Sequence, residues 1–390
     1  MLTGTREKAA MASATLPLLE TLIGFDTVSR NSNLGLIEWL RDHFAALGVS
    51  ATLVTDKTGT KANLWATIGP EVDGGIILSG HTDVVPVDGQ AWTSDPFKAV
   101  IRDGNLYGRG ACDMKGFVAA ATAIAETARN APLRRPLHFA FSYDEEVGCI
   151  GVRDLLTFLD TLPYRPAGVI VGEPTEMKIV LGHKGKRAWC CTVKGHAVHS
   201  SRAPEGVNAV EGAARLIAEI AGISAEVRRN DQPDDGFDVP FTTLLTTVME
   251  GGMSTNTVPD LARFVFECRH LPDTDPEAIF ARIQAFTDTN LATDRQRAEI
   301  LFEEITNYPG LAADPADGFV AAMSRFACTA VPPKVAYGTE AGLFQRAGIP
   351  ALVCGPGSIA QAHRPDEFCA LDQLAACDTF LAQVVESLTV

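Results

Sequence analysis

The stretch Ile76-Ile77-Leu78-Ser79-Gly80-His81-Thr82-Asp83-Val84-Val85-Pro86 decides how the rest of the chain is read. Its apolar head is short and β-branched, and it is bracketed by Gly74-Gly75 and Gly80. That pattern predicts a strand buried on both faces. Residues two apart on a strand share a side, so His81 and Asp83 should project together from its carboxyl end, where open α/β sheets carry their ligands. The expectation is that His81 binds a metal. Asp83 would hold the second ring nitrogen or support the site from behind.

Working outward, other strand ends supply matching donors. Gly108-Arg109-Gly110-Ala111-Cys112-Asp113-Met114-Lys115-Gly116 closes a long loop over 86–112 and opens an Ala-rich helix, with Asp113 at the junction. Asp113 reads either as a helix N-cap or as a metal-bridging carboxylate. Residues 136–143 alternate like a strand and run into Asp144-Glu145-Glu146-Val147-Gly148. Adjacent glutamates at a strand end suit a metallohydrolase: one binds metal, and the other stays unbound and takes a proton from water. The apolar run 166–172 ends in Glu173-Pro174-Thr175, and 351–354 leads through a Gly/Pro loop to His363. His81, Asp113, Glu146, Glu173 and His363 thus offer two imidazoles and three carboxylates. Two divalent ions sharing one carboxylate fit that set, and zinc suits mixed N/O ligation best.

Totals narrow the class. A chain of 390 residues exceeds one ordinary core, so two domains are expected. The 46% apolar and 21% charged content is that of a globular protein, and no apolar run reaches about 18 residues, so no spanning helix is expected. The net charge of −15 argues against nucleic acid and anionic membranes as partners. Nine scattered cysteines without a C-x-x-C pair predict free thiols in a reducing compartment, hence a cytoplasmic protein. The N-terminal apolar stretch is broken by Ser, Thr and Pro, which reads against a signal peptide; Met11 is an alternative start to Met1.

Between 183 and 306 the pattern changes to strand 186–194, helix 206–222, strands 241–250 and 261–269, helix 275–290 and strand 298–305, with 226–240 as a polar surface loop. That β-α-β-β-α-β order predicts a small ferredoxin-like α+β domain. Since His363 lies beyond it, the catalytic domain must be discontinuous, over 1–182 and 307–390. The fold class expected is α/β: a three-layer α/β/α catalytic domain with an inserted ferredoxin-like α+β domain.

The blocks SGHTDVVPV, GRGACDMKG, DEEVG, GEPT, GGMSTNTVP and QAHRPDEF, spread from about 78 to 368, resemble the dinuclear metallohydrolase family of acetylornithine deacetylase, succinyl-diaminopimelate desuccinylase and the glutamate carboxypeptidases. Gly338-Thr339-Glu340-Ala341 and Gly355-Pro356-Gly357-Ser358-Ile359 are most similar to its acetylornithine deacetylase branch. The resemblance implies two divalent ions, Zn2+ or alternatively Co2+ or Mn2+. His81 and Glu173 would ligate different ions, Asp113 would bridge, Glu146 and His363 would complete the shell, and Glu145 would be the base. It also implies an N-acyl amino acid substrate, a lid and dimerisation role for the inserted domain 183–306, and a homodimer in which His199 of the lid reaches the partner's site and donates to the oxyanion. Asn256 and Arg269 match residues that hold the substrate α-carboxylate, for which an arginine fork is well shaped. His196 matches no role and reads as a surface or packing residue.

Overall fold

The computed structural model describes residues 14–291, 298–326 and 334–390. Met1 and Met11 lie outside them. The chain forms two compact units, Met1–Gly182 with Leu311–Pro333 and Thr339–Val390, and His183–Gly310 with Lys334–Gly338. The sequence does not announce the short return of Lys334–Gly338 to the second unit.

The first unit is built on β1 (Ala51–Thr55), β2 (Ala62–Ile68), β3 (Ile76–His81), β6 (Leu137–Ser142), β7 (Gly168–Val171) and the strand Ala351–Val353; the loop before Asp113 carries two short strands, β4 (Val100–Arg102) and β5 (Asn105–Tyr107), that the sequence reading missed. The large sheet runs β1-β2-β6-β3-β7 and then Ala351–Val353. β3 lies parallel to both β6 and β7, with His81 opposite Ser142 and Ser79 opposite Val171. The carboxyl ends of β6, β3 and β7 therefore share one edge, and the three segments that follow them emerge side by side.

β3 and β6 are buried along their whole length, which is why both read as apolar runs. Leu36, Ile37, Leu40 and Phe44 of helix Leu34–Ala46 and Phe117, Val118 and Ala121 of helix Lys115–Asn130 join one core with Leu78, Phe139 and Ile170 of the sheet. Helix Gly151–Leu159 packs against β2 and β6, and helix Ala341–Arg346 packs against β7 and Ala351–Val353. The helix after Asp113 approaches the exit of β7 so closely that a Cβ on Gly172 would lie 1.9 Å from the Phe117 ring. Only glycine lets the chain turn there into Glu173.

The second unit is a four-stranded antiparallel sheet of Gly185–Lys194, Thr243–Gly251, Leu261–His270 and Glu299–Tyr308. Numbered by sequence, these strands lie in the order 2-3-1-4, the ferredoxin-like arrangement. Trp189, Phe264 and Phe266 pack with Leu216, Ile220 and Ile283 of its two helices. The first helix runs Ala209–Asn230, longer than 206–222, and its last turn takes in residues expected in a loop. The apolar spacing Leu216, Ile220, Ile223 continues to Val227, which packs on the same core. Arg228 and Arg229 then suit the negative end of the helix dipole.

Candidate metal centre

His81 ends β3 almost wholly buried, at 1% exposure. Its Nδ1 lies 2.9 Å from the main-chain oxygen of Asp83, whereas the nearer carboxylate oxygen of Asp83 is 3.6 Å away. The ring nitrogen expected to meet the Asp83 carboxylate is thus held by that residue's backbone. A proton on Nδ1 donated to this carbonyl leaves the Nε2 lone pair aimed into the site. The Asp83 carboxylate instead accepts the backbone N–H groups of Glu145 at 3.0 Å and Glu146 at 3.3 Å, and the Ser29 hydroxyl at 2.7 Å. It caps the turn that carries both glutamates. Lys61, 2.5 Å from Asp144, anchors the same turn from outside. The sequence reading had singled out neither Ser29 nor Lys61.

Donors from four further segments meet His81. Its Nε2 is 3.0 Å from Asp113 Oδ1 and 3.8 Å from Glu173 Oε1. His363 Nε2 is 3.3 Å from Asp113 Oδ2 and 3.0 Å from Glu146 Oε2. Asp113 therefore sits between the two imidazoles, one on each oxygen. Glu145 accepts a hydrogen bond from the Cys149 thiol at 3.3 Å. All six residues belong to the first unit.

The electrostatics are those of crowded acids. Burial, reinforced by the charges of Glu146, Glu340 and Asp113, raises the Glu145 carboxyl well above its usual range against the opposing His81. Burial and the Asp113 charge push Glu146 up to about 7, and burial with Asp113 and Glu145 raises Glu173. Asp113 goes the other way: hydrogen bonds from His363 and His81 outweigh its burial and hold it down. His363 rises to about 10 through its bonds to Asp113 and Glu146, and His81 rises although burial opposes it. A further acid, Glu340, lies buried behind this set with Ser142 Oγ at 2.5 Å, and burial raises it to about 7.

Donor chemistry and spacing fit metal. His81, Asp113 and Glu146 present ligand atoms within 4.8 Å of one another, and so do His81, Glu145 and Glu173. Two overlapping N/O triads suit two adjacent divalent ions. Glu145 is within reach of the second triad, so distance alone does not mark which glutamate stays uncoordinated. Their hydrogen bonds differ: Glu146 pairs with His363, and Glu145 accepts from the Cys149 thiol.

The remaining expected residues lie in the second unit. His199 is exposed, and its Nδ1 accepts from the Ser201 N–H at 3.2 Å, which leaves the proton on Nε2. Asn256 is exposed on the loop beside it, its carbonyl accepting from Ser200 N at 2.8 Å. His196 is exposed and bridges to Val207. Arg269 lies at the far end of the strand Leu261–His270, with its Nε 2.9 Å from Glu267 Oε1. The structure brings His199 and Asn256 together and separates both from Arg269 by the length of that strand.

The model of peptidase family M20/M25/M40 matches residues 77–387. The chain belongs to this family. It is 34% identical over 382 residues to the acetylornithine deacetylase of Myxococcus xanthus, covering 96% of this chain and 98% of that protein. It is 32% identical to that of Pasteurella multocida, with 94% of each covered. Among solved structures, a family M20 metallo-carboxypeptidase from Sulfolobus solfataricus superposes with a TM-score of 0.78 at 21% identity, covering 96% of this chain and 99% of that one. A dinuclear metal binding peptidase of family M20 from Bacillus subtilis superposes at 0.70 and 17% identity, covering 98% and 100%. The chain is a metallohydrolase of this family, and its first unit carries the donor set such chemistry requires.

Proposed function

We propose that the protein hydrolyses N2-acetyl-L-ornithine to L-ornithine and acetate, a step of arginine biosynthesis, as a cytoplasmic homodimer. The observation that carries this reading is the pair of overlapping donor triads around His81, in a chain similar over nearly its whole length to acetylornithine deacetylases.

His81, Asp113, Glu146, Glu173 and His363 would hold two divalent cations, zinc in the first instance and cobalt or manganese otherwise. When bound, the cations supply Lewis acidity that polarises the acetyl carbonyl and acidifies water. Glu145 takes the proton of the attacking water. The water oxygen adds to the acetyl carbon, and the C–N bond breaks. The same proton passes from Glu145 to the departing α-amine. Asp83 keeps both glutamates in place through their backbone amides. His199 presents its Nε2–H to the oxyanion, a contribution of about 3–4 kcal/mol in comparable sites. Asn256 and Arg269 bind the α-carboxylate.

The position of these last residues supports the dimer. Along the ladder, Gly251 next to the Asn256 loop pairs with Ala262, and Arg269 pairs with Thr243. The seven steps along the strand from Ala262 to Arg269 span about 23 Å at the usual strand rise. One chain does not bring both residues to one carboxylate, but two copies can each lend one.

Acetate release should be assayed over a panel of N-acetylornithine, N-acetylcitrulline, N-succinyl-diaminopimelate and dipeptides, with zinc or cobalt. N-acetylornithine should give the highest kcat/KM. A higher value on another member reassigns the substrate within the family. The dimer has its own test. Glu145→Ala and His199→Ala chains, each inactive alone, should regain activity when mixed, because one site in the hybrid is intact. Confirmed hybrids without recovery would rule out action across the interface.

A further inference from the structure

Beneath the proposed metal centre lies a charge pair that the sequence reading left unused. Arg109 and Glu367 are 0% and 1% exposed, with Arg109 Nη1 2.7 Å from Glu367 Oε2. Such a pair is weak evidence for stability, because removing both charges from water costs about what their attraction returns. Arg109 Nε is buried without a hydrogen-bond partner, so the pair is not optimised for stability. What it contacts says more.

Glu367 Oε1 accepts the backbone N–H of Cys112 at 2.9 Å and of Asp113 at 3.0 Å, and Oε2 accepts that of Gly110 at 3.1 Å. The Glu367 carbonyl accepts from Gly108 N at 2.9 Å. One carboxylate thus fixes the turn that delivers Asp113. Arg109 reaches in the other direction, to the Arg364 carbonyl at 3.3 Å and to Gln90 Oε1 at 2.5 Å. Gln90 also accepts from the Trp92 indole at 3.0 Å, and the Arg109 guanidinium lies 5.0 Å from the Trp92 ring centre. Finally, Gln90 Nε2 donates to the His363 carbonyl at 3.0 Å. His363 needs such a hold: its side chain is 53% exposed and its φ is +64°, so the core does not fix it.

We propose that Glu367, Arg109 and Gln90 form a positioning clamp that sets the separation of Asp113 and His363, and with it the affinity of the metal position these two donors share. The inference rests on the metal-centre reading above. These residues touch no reacting atom. They act by holding two donors from segments about 250 residues apart in sequence, as outer partners of metal ligands do in general.

The test is a titration of the chelator-stripped full chain with Co2+, followed by calorimetry and by the visible absorption of the bound ion. The wild type should take up two equivalents. Gln90→Leu removes the link to the His363 carbonyl together with the acceptor for Arg109 and Trp92, and leaves the Glu367 bonds to the turn amides in place. The variant should still fold, with a modestly lower metal-free melting temperature because Arg109 and Trp92 lose an acceptor, while one of the two binding steps weakens by about 10–100-fold and its cobalt absorption shifts. Glu367→Gln keeps an acceptor but sets its NH2 against Arg109 or the turn amides, and should weaken both steps. If Glu367→Gln fails to fold, Gln90→Leu alone decides. A folded Gln90→Leu chain whose isotherm and spectrum overlay those of the wild type overturns the clamp and leaves the metal centre standing. A wild-type chain that binds no cobalt sinks the metal centre, and the clamp with it.

Discussion

The two units treat their charges in opposite ways. On the sheet of the second unit, acids and bases settle one another: Arg187 lies between Glu304 and Glu277, and Glu267 lies between Lys186 and Arg269. At the edge of the first unit's sheet, Asp113, Glu145, Glu146 and Glu173 face only two imidazoles. Even with both rings protonated, two negative charges are left over in a crowded, poorly solvated place. Uncompensated buried charge is costly, so proteins neutralise it by proton uptake, by pairing or by metal. The sheet of the second unit pairs these charges within the polypeptide. The first unit leaves a surplus of acid that bound cations would neutralise.

The largest expected effect separates the two adjacent glutamates. Glu145→Gln should lower kcat by about 10²–10⁴-fold, the range of a lost general base, with two metals still bound. Glu146→Gln should lose metal. Measuring metal content beside acetate release decides the assignment, and the reverse pattern would exchange their roles. Next comes the ion itself. At a free zinc concentration about a thousand times its dissociation constant, binding adds about 4 kcal/mol to stability. In a unit of this size that corresponds to about 10 °C in melting temperature. Chelation should remove this increment. A melting temperature indifferent to chelator would mean that the surplus acids are neutralised by protons alone.

Much of this contrast was legible in the sequence. His81, Glu146 and Glu173 were readable because each follows a fully buried strand, and a polar residue at the end of such a strand points to the sheet's carboxyl edge. Asp113 and His363 were harder, since each lies at the end of a loop whose course no periodicity records. The clamp was illegible for the same reason: Gln90, Arg109 and Glu367 meet only through the folding of residues 86–113 against 363–367. Asp83 both holds the ring and supports the site from behind, but which of its groups does which was not legible, because strand alternation fixes the direction of a side chain and not whether backbone or carboxylate reaches the ring first. The end of the helix at Asn230 was missed because Arg228 and Arg229 look like loop polarity, and only the helix dipole makes them a terminal turn.

A third prediction uses one sheet as its own control. His138, on β6, is 0% exposed and stacks between Trp65 and Tyr164, with no acid beside it. Burial alone lowers it to about 3, whereas His81, as deeply buried on the neighbouring strand, is raised by its acids. The unfolded chain protonates His138 below about pH 6.5, and the folded chain does not until about pH 3. Its contribution to stability is therefore complete above pH 6.5 and falls steadily as pH drops toward 3. At pH 5 the loss is about 2 kcal/mol. Chemical denaturation of His138→Gln at pH 7 and pH 5 should show a pH loss smaller by that amount, whatever the absolute stability of the variant. An unchanged pH slope would mean that the folded protein accommodates the imidazolium, and the contrast with His81 would lose its baseline.

The smallest effect belongs to the self-sufficient side. Glu267 is 18% exposed and takes hydrogen bonds from Lys186 and Arg269, which hold its carboxyl below the usual range although burial opposes them. Glu267→Gln removes one charge from a partly solvated triad, so stability should change by about 1 kcal/mol or less and cobalt uptake should not change at all. The variant has one further consequence if Arg269 grips the substrate. Glu267 holds the guanidinium by its Nε, 2.9 Å away, and so orients the two outer nitrogens as a fork. Weakening that bond should raise KM by about 2–10-fold, the equivalent of one hydrogen bond, and leave kcat alone. A drop in kcat at unchanged KM would move Arg269 from substrate binding to the reaction itself. No change in either would make the triad a surface ion network, and the carboxylate would need another partner.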